Sequence, residues 1–449
     1  MRIAIVAANS VEFDSRLRRT AMALADDRHE VTIVGYAAPG LPERDVLPGR
    51  PEVAVVRLPL DRRIASAFRP LPGPARGALA RLLGIDPAAT VLAPSAARGL
   101  GRVPALIRRL VEILAVVRRT GPWTRLLLEA APDADVYHAK ALIALPVIRG
   151  AARAGQDRGA RFVYDLADLH TDAARLARMP GWFRGLVRRR EAGWVRAAAA
   201  LTAVSDGVAD EAVGRFGVPR PTIVRNCPPA WRPDEPQPRV PDRLRPTAGV
   251  PAERAVILFQ GGFSVDRGIE ELVAALDEPP LRDLDVAAVF LGYGRLRDWL
   301  VTQAARRPGR IAVLDAVPPD ELLEWTASAD IGYVGQPPRT LNQRLNLANK
   351  LFESLMAGVP VLVARDTEHC RVVTAEALGA CTDVDSPAAI AAAAARLLGA
   401  PEYERDRLRR HCRTVALARY TWEIQQAGLV ALYRSLAATV APRREGGAP

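Results

Sequence analysis

Short apolar stretches alternate with amphipathic helical stretches along most of this sequence. Near the N-terminus, residues 3–8 are mostly apolar, 14–26 carry apolar residues at helical spacing, and 30–35 are again apolar and β-branched. Parallel strands need a crossover connection, which is usually a helix. The alternation therefore predicts an α/β protein with helices on both faces of a parallel sheet. Further strands are predicted at 53–58, 135–138, 161–165, 200–205 and 222–226.

A second series of strands and helices follows a stretch rich in proline and charge. That stretch, 227–252, is interpreted as a linker. A chain of 449 residues is too long for one ordinary core, so we expect domains at 1–226 and 253–418 and a helix with a tail at 419–449. The second domain is predicted to contain strands at 255–260, 286–292, 311–314, 330–334 and 359–364, and helices that begin at 269 and cover 320–328, 350–357 and 403–436.

Residues 61–130 interrupt the alternation, because they are rich in Arg, Ala and Leu and punctuated by Pro and Gly. Within this insertion, 103–119 has the pattern of a basic amphipathic helix. Such a helix can lie on an anionic membrane with its arginines at the headgroups. Alternatively, it packs against the protein and keeps its arginine face in water. Both interpretations stay open.

The composition is that of a soluble globular protein, with 49% hydrophobic and 25% charged residues. The formal net charge of +12 suits nucleic acid, an anionic membrane surface or anionic small molecules. Only 5% of the residues are aromatic, too few for a surface that stacks single-stranded bases, so we expect no nucleic-acid partner. No apolar run approaches the ~20 residues of a membrane-spanning helix, and the first residues do not form a signal peptide. These features predict a cytoplasmic protein, with attachment to the inner face of the membrane left open.

No metal site is expected from the sequence. Asp133 and Asp135 have the spacing of a metal-binding Asp-x-Asp pair, but they precede a predicted strand instead of ending one. The cysteines have neither metal-type spacing nor the density of a disulfide scaffold, so they are expected to be reduced thiols. They are Cys227, Cys370, Cys381 and Cys412.

The stretch 349–361 combines a helix with an unusual cation at its start. Asn349 is a favourable N-cap, helix formers follow it, and Gly358 ends the helix. Lys350 then lies in the first turn, where the helix dipole disfavours positive charge unless an anion binds the same end. Lys350 and Lys140 are the only lysines of the chain. Each lysine either occupies a position that requires a compact ammonium group or has remained by chance on an exposed turn.

Two predicted glycine turns, at 261–262 and 292–294, lie at the carboxyl ends of strands in the second domain. Glycine lets backbone N–H groups approach a phosphate at this edge of a parallel sheet. Nearby cations would meet the phosphate charge, and a carboxylate would accept hydrogen bonds from ribose hydroxyls. No Gly-x-Gly-x-x-Gly dinucleotide fingerprint follows a strand. The set expected to bind a nucleotide diphosphate is Gly261, Gly262, Arg267, Gly292, Lys350 and Glu353.

Motifs along nearly the whole chain, apart from 61–130, resemble the retaining glycosyltransferases of the GT-B fold, family 4. The resemblance implies two doubly wound Rossmann-like domains that face a cleft. The N-terminal domain would bind the acceptor and the C-terminal domain the donor, with the last helix crossing back to the first domain. It also implies retention of configuration without a metal or other cofactor. The motifs are 14–16, 204–207, 225–228, 259–262, 267–268, 330–334, 349–353 and 357–361, and the region 345–361 is the most specific.

The resemblance assigns roles to individual residues. Glu353 would bind the donor ribose, and Arg267 and Lys350 the diphosphate. The family usually has a second glutamate eight positions earlier, which holds the sugar. Leu345 stands there, so sugar recognition is left unassigned. His138, at a strand end, either positions the reacting sugar or acceptor or is structural. The expected catalytic residues are His138, Arg267 and Lys350, and the expected acceptor-binding residues are Asp14, Arg16, Asp165 and Asp168.

The sequence thus predicts a retaining, metal-independent glycosyltransferase of the hexosyltransferase type. It would move a sugar from a nucleotide diphosphate sugar to a hydroxyl of a glycan, a lipid-linked or a small-molecule acceptor, in polysaccharide or glycoconjugate biosynthesis. Two alternatives remain: a GT-B nucleotide-sugar epimerase, and a non-catalytic partner that binds nucleotide sugars. An anionic membrane surface is a further expected partner.

Overall fold

The computed structural model of this protein describes residues 1–12, 14–59, 120–173, 176, 179, 181–232 and 241–439. The chain divides into two compact units. The first unit comprises residues 1–165, 179–201 and 434–449, and the second comprises 166–178 and 202–433. The basic helix predicted at 103–119 lies outside the described residues.

The first unit alternates strands with helices. A helical stretch at 120–130 precedes its fifth strand. The elements are β1 (Arg2–Val6), α1 (Ser15–Asp26), β2 (Glu30–Tyr36), β3 (Arg44–Leu47), β4 (Arg50–Leu58), β5 (Val136–Ala139), α2 (Leu145–Ala154), β6 (Arg161–Leu166) and α3 (Gly181–Arg196).

The strands of the first unit are hydrogen-bonded in the order β3-β4-β2-β1-β5-β6. All neighbours are parallel except the antiparallel pair β3 and β4. β1 is buried from Ile3 to Val6, as expected for a central strand covered on both faces. Its Ile5 lies in register with His138 of β5, so the sheet places that histidine beside the start of α1.

The second unit contains a longer series of the same kind. Its elements are β7 (Ala200–Ala203), α4 (Asp206–Phe216), β8 (Thr222–Ile223), α5 (Leu244–Ala248), β9 (Val256–Phe263), α6 (Ile269–Ala275), α7 (Pro279–Asp283), β10 (Ala287–Gly294), α8 (Arg297–Arg306), β11 (Ile311–Leu314), α9 (Leu322–Ala327), β12 (Ile331–Val334), α10 (Leu341–Leu345), α11 (Asn349–Met356), β13 (Val361–Ala364), α12 (Glu368–Glu376), β14 (Gly379–Thr382), α13 (Pro387–Leu398), α14 (Glu402–Arg419) and α15 (Trp422–Thr439).

A six-stranded parallel sheet, in the order β11-β10-β9-β12-β13-β14, forms the centre of the second unit. Phe259, Phe263 and Phe290 are fully buried on it and their ring centroids lie 6.1–6.4 Å apart. Leu244 and Val250 belong to the stretch interpreted as a linker. They pack in a second hydrophobic cluster of this sheet, with Leu258 and Val289. That part of the stretch is therefore folded.

The predicted glycine turns are strand residues instead. β9 continues through Gly261 and Gly262 to Phe263, and β10 runs to Gly294. Gly261 pairs with Gly292 in the parallel register. A Cβ on Gly292, whose φ is +153°, would lie 2.0 Å from the carbonyl oxygen of Gly261. Glycine is required here because two backbones approach closely, and not because the chain turns.

Two further predictions are wrong. Asn349 is the first residue of α11 and not its N-cap, which is Ala348; the Asn349 side chain instead accepts a hydrogen bond from Asn226. Cys370 and Cys381 form a disulfide and not two reduced thiols. The first lies on α12 and the second on β14, and the packing of these elements brings their Cα atoms to 5.6 Å, within the range that a disulfide spans.

The last helix returns to the first unit, as the resemblance implies. Its final residues, 434–439, belong to that unit. The Arg434 guanidinium donates to Asp27 at 2.5 Å, and Arg161 donates to the carbonyl oxygen of Thr439 at 2.7 Å. Among the helices of the described residues, none has the length and apolar character to cross a membrane.

Candidate functional site

The carboxyl edge of β9 and β10, called the glycine edge below, carries four glycines: Gly261, Gly262, Gly292 and Gly294. Gly261 and Gly262 are exposed there. A Cβ on Gly261 would lie 4.0 Å from both Cε and Nζ of Lys350, while one on Gly262 would meet no described atom within 4 Å. The absence of side chains at these positions leaves the backbone and the lysine accessible to a ligand.

Lys350 lies in the first turn of α11, and its ammonium group sits over the ring of Phe259, 3.7 Å from the centroid. The contact is a cation–π interaction that fixes the position of the charge. Burial, followed by repulsion from Arg267, lowers the pKa of Lys350 to about 7, against the opposing attraction of Glu353. An anion bound beside Lys350 would stabilise its protonated form, because the attraction offsets both the burial and the repulsion from Arg267.

Arg267 precedes α6 and acts in the same region as Lys350. One of its Nη atoms donates to the amide oxygen of Gln336 at 3.2 Å. Burial lowers the pKa of Arg267, although Asp168 and Asp266 partly offset this. Since Arg267 in turn lowers the pKa of Lys350, the two positive charges are close enough to repel each other. A dianionic ligand bound beside both cations would attract each of them, and this attraction would outweigh their mutual repulsion.

Glu353 lies one turn further along α11 and is buried. Its carboxylate accepts a hydrogen bond of 2.7 Å from the amide nitrogen of Gln260. The Gln260 oxygen accepts in turn from the hydroxyl of Thr326 at 2.8 Å. This chain of hydrogen bonds holds the carboxylate in one orientation beside the glycine edge, as a residue that receives ribose hydroxyls requires.

His369 fixes the start of α11, although no local sequence pattern marks this residue as part of a site. Its Nε2 atom accepts a hydrogen bond of 2.8 Å from the backbone N–H of Ala348. Burial, with Lys350 and then Arg267, lowers the pKa of His369 to about 3. The ring therefore stays neutral and keeps accepting at any working pH. The side-chain nitrogen of Asn226 donates a hydrogen bond of 2.7 Å to the side-chain oxygen of Asn349, the first residue of α11.

Leu345, at the position where the resembling family has its first glutamate, ends α10. Its carbonyl oxygen accepts from the Ser205 hydroxyl at 2.5 Å. Its Cδ2 atom would lie 2.9 Å from a Cβ on Gly207, and the Glu368 carboxylate 3.2 Å from the same point. The leucine therefore packs beside Gly207 and contributes no polar group to a sugar.

The predicted acceptor-binding residues are divided between the units. Asp168, in the second unit, accepts a hydrogen bond from the Asn342 amide at 3.0 Å and raises the pKa of Arg267 against burial. Asp165 and Arg16, in the first, form a buried bidentate ion pair with two N–O distances of 2.6 Å. In such a pair, two nitrogens of the planar guanidinium donate to the two oxygens of the carboxylate, so the hydrogen bonds are strong and their geometry is well defined.

Asp14 and His138 lie beside this ion pair in the first unit. Asp14 caps α1 by accepting from the N–H of Leu17 at 3.2 Å, and its carboxylate receives the Lys140 ammonium group at 2.6 Å. His138 shares a small cavity of about 10 Å³ with Arg16, Lys140 and Asp165. That volume holds about one water molecule.

Burial is the main cause that lowers the pKa of His138 to about 4; Arg16 and Lys140 act in the same direction, and Asp165 opposes them. The histidine is therefore neutral near pH 7. A neutral imidazole can accept a proton or a hydrogen bond. Among the described residues, no cluster of His, Cys, Asp and Glu is arranged to hold a metal ion.

Comparisons with known proteins agree with this architecture. Residues 254–400 match the family model of Glycosyl transferases group 1. The chain is similar in structure to a sucrose-phosphate synthase from Thermosynechococcus elongatus, with a TM-score of 0.70 and 16% identity over 98% of this chain and 99% of that one. It is also similar to HepE from Anabaena, solved in complex with UDP-glucose, with a TM-score of 0.63 and 16% identity over 98% of this chain and 100% of that one.

WaaG, a glycosyltransferase involved in lipopolysaccharide biosynthesis, is similar with a TM-score of 0.61 and 15% identity, over 96% of this chain and 99% of that one. No curated protein matches the sequence. The parallel sheets, their order and these structural matches together establish the α/β GT-B fold that the motifs predicted. The chain has the GT-B fold, and its residues 254–400 resemble the glycosyl transferases group 1 in sequence.

Proposed function

We propose that this protein transfers a sugar from a nucleotide diphosphate sugar to an acceptor hydroxyl, with retention of configuration and without a metal ion. The observation that carries the proposal is the pair of mutually repelling cations, Arg267 and Lys350, near the exposed glycines Gly261 and Gly262. Glu353 lies one turn along the same helix and would accept from the ribose.

The chemistry follows from where negative charge develops. The bond between the anomeric carbon and the diphosphate oxygen breaks, and the acceptor oxygen bonds to the same face of that carbon. The diphosphate leaves with both bonding electrons, and the acceptor proton leaves to the diphosphate or to water. Lys350, Arg267 and the N-terminus of α11 stabilise the departing charge. These cations take the part that a metal ion plays in other phosphate sites.

UDP-glucose is the donor to test first. HepE was solved with that compound; the choice of this donor is an analogy between folds, since a shared fold does not by itself determine the substrate. For the acceptor we propose that the polar cluster of Asp14, Arg16, Asp165 and His138 marks its site in the first unit. A glycan or a lipid-linked sugar in polysaccharide or glycoconjugate biosynthesis is the acceptor class proposed.

The experiment compares donor binding and turnover. Binding of UDP-, GDP- and TDP-sugars is measured by thermal shift and calorimetry, and turnover by release of the nucleoside diphosphate with and without candidate acceptors. Lys350→Ala and Glu353→Ala should each weaken donor binding at least about tenfold, from the loss of a charge-assisted interaction. Lys140→Ala, which removes the only other lysine, is the matched control and should leave donor binding unchanged.

Other outcomes point to the alternatives. Conversion of the donor sugar in the absence of any acceptor would indicate an epimerase. Tight donor binding without turnover for any acceptor would favour a non-catalytic partner, a possibility that the apolar Leu345 keeps open. If neither substitution on α11 changes donor affinity, the site is wrong.

A further inference from the structure

The disulfide between Cys370 and Cys381 joins the helix α12 to β14, the last strand of the six-stranded sheet. Both cysteines are half-buried, so a thiolate in solution can reach their sulfur atoms. The other two cysteines, Cys227 and Cys412, are free and buried. The disulfide is therefore the cysteine pair that a dissolved reductant can attack.

β14 holds its end of the disulfide in place. The strand is parallel to β13, with Cys381 in register with Val363 and Thr382 in register with Ala364. The backbone hydrogen bonds of such a pair do not depend on the side chains. Two unbonded sulfur atoms cannot approach to the about 2 Å of a disulfide bond, so reduction requires the side chains to move apart. The movement then falls on α12.

The other end of the disulfide lies beside the residue that fixes the start of α11. Cys370 follows His369 directly in the first turn of α12. The Nε2 atom of His369 accepts the hydrogen bond from the N–H of Ala348, which is the N-cap of α11. The disulfide thus holds the turn whose histidine positions the helix that carries Lys350 and Glu353.

The rest of α12 has contacts of its own. Val372 and Val373 are buried. The hydroxyl of Thr367 caps the helix by accepting a hydrogen bond of 3.2 Å from the N–H of Cys370. These contacts remain when the disulfide breaks, so reduction should displace the first turn and leave the helix folded.

We propose that this disulfide is a redox switch of the donor site. Its reduction loosens the hold of His369 on the start of α11 and lowers the affinity for a nucleotide diphosphate sugar. The proposal rests on the proposed function, since that function assigns donor binding to α11.

A dithiol is the class of reductant that operates the switch. One of its thiolates attacks a sulfur of the disulfide, and the S–S bond breaks with both of its electrons on the other sulfur. The second thiol of the reductant then displaces the first cysteine from the mixed disulfide. Two electrons and two protons pass to the protein, the two cysteines become thiols, and the reductant becomes a disulfide.

The experiment compares the full-length protein before and after reduction by dithiothreitol. Thiol titration in denaturant should count two thiols before reduction and four after it. Calorimetry with UDP-glucose should show an affinity about threefold to tenfold lower after reduction, as expected for a weakened hydrogen bond at the start of α11. Cys370→Ser/Cys381→Ser should bind like the reduced wild type and should not respond to dithiothreitol.

The amide proton of Ala348 gives a second readout, which needs no ligand. Its NMR resonance should move upfield on reduction, toward its position in His369→Leu, where the hydrogen bond is lost. In His369→Leu itself, reduction should change the affinity for UDP-glucose less than about twofold, because the contact that couples the two helices is already gone. Cys412→Ser keeps the disulfide and is the control; it should respond to reduction like the wild type.

The two readouts separate the switch from the proposed function. If UDP-glucose binds neither form, the proposed function fails for this donor, and the resonance of Ala348 alone decides whether the disulfide is coupled to α11. An unchanged resonance after complete reduction, or equal affinities of the two forms for UDP-glucose, would overturn the switch. So would loss of the native circular dichroism on reduction. If the double cysteine variant does not fold, the wild type before and after reduction decides.

Discussion

The affinity for a nucleotide diphosphate sugar should fall as the pH rises through 7. The pKa of Lys350 is about 7 in the free protein, and the proposed ligand binds the protonated form. The bound diphosphate should raise that pKa. Above pH 7, where Lys350 of the free protein is mostly neutral, the lysine therefore takes up a proton when the ligand binds. With a free-state pKa of about 7, the protonated fraction falls from about 0.9 at pH 6 to about 0.1 at pH 8, which weakens binding about tenfold.

Neighbouring groups do not obscure this dependence. The pKa of His369 is about 3, so its charge does not change between pH 6 and 8. The two phosphates of a nucleotide sugar are diesters and do not titrate there either, unlike those of a free nucleoside diphosphate. Calorimetry in buffers with different ionisation enthalpies measures both the dissociation constant and the number of protons taken up.

Lys350→Arg is the matched variant, because guanidinium stays charged throughout this range. It should bind with an affinity that does not depend on pH and without proton uptake. The reasoning is refuted if wild-type affinity changes less than about twofold between pH 6 and 8, or if Lys350→Arg shows the same dependence.

The fold and the site support three further predictions. His369→Leu should weaken donor binding about fivefold to tenfold by leaving an amide at the start of α11 unpaired, whereas His369→Gln, which can still accept, should recover most of it; calorimetry checks both, and equal loss in the two variants would refute the role. Replacing Cys370 and Cys381 by alanine should lower the free energy of unfolding by about 3 kcal/mol, since the disulfide closes a loop with a sequence separation of 11; urea unfolding measures it, and a reductant should have the same effect on the wild type. Gly292→Ala should destabilise the protein by more than about 2 kcal/mol because its Cβ would collide with the adjacent strand, whereas Gly262→Ala should cost less than about 1 kcal/mol; unfolding curves of similar midpoint would contradict this.

The sequence predicted the strands and helices well where hydrophobic periodicity was strong. β1, α1 and β2 were expected within one or two residues of their observed limits. Buried parallel strands are short apolar runs, and such runs are visible in a single sequence. The parallel sheets follow from the alternation of these runs with helices, whereas the GT-B fold was implied by the resemblance of the motifs to a known family.

The turns predicted at the glycines of β9 and β10 are wrong, because these glycines lie within the strands. The sequence predicts turns at Gly261 and Gly292 because glycine commonly interrupts a strand. Only the register between β9 and β10, which is a property of the folded sheet, shows that the two backbones meet there. The disulfide was missed for a similar reason, since a separation of 11 has no characteristic motif.

The groups that support the site could not be found from one sequence. His369 reaches α11 only because α12 packs beside it. Gln260 is an ordinary strand residue until β9 brings it to 2.7 Å from Glu353. Local patterns identify residues whose type is unusual for their position, such as Lys350, but a hydrogen-bond partner far along the chain leaves no local signal.

The central claim is that Lys350 and Arg267 hold a diphosphate at the glycine edge. A crystal structure of the protein with a bound nucleotide diphosphate sugar tests it most directly. The account predicts phosphate oxygens within hydrogen-bonding distance of the Lys350 ammonium and the Arg267 guanidinium, and the ribose hydroxyls at Glu353. A diphosphate bound elsewhere, or one that contacts neither cation, would contradict it.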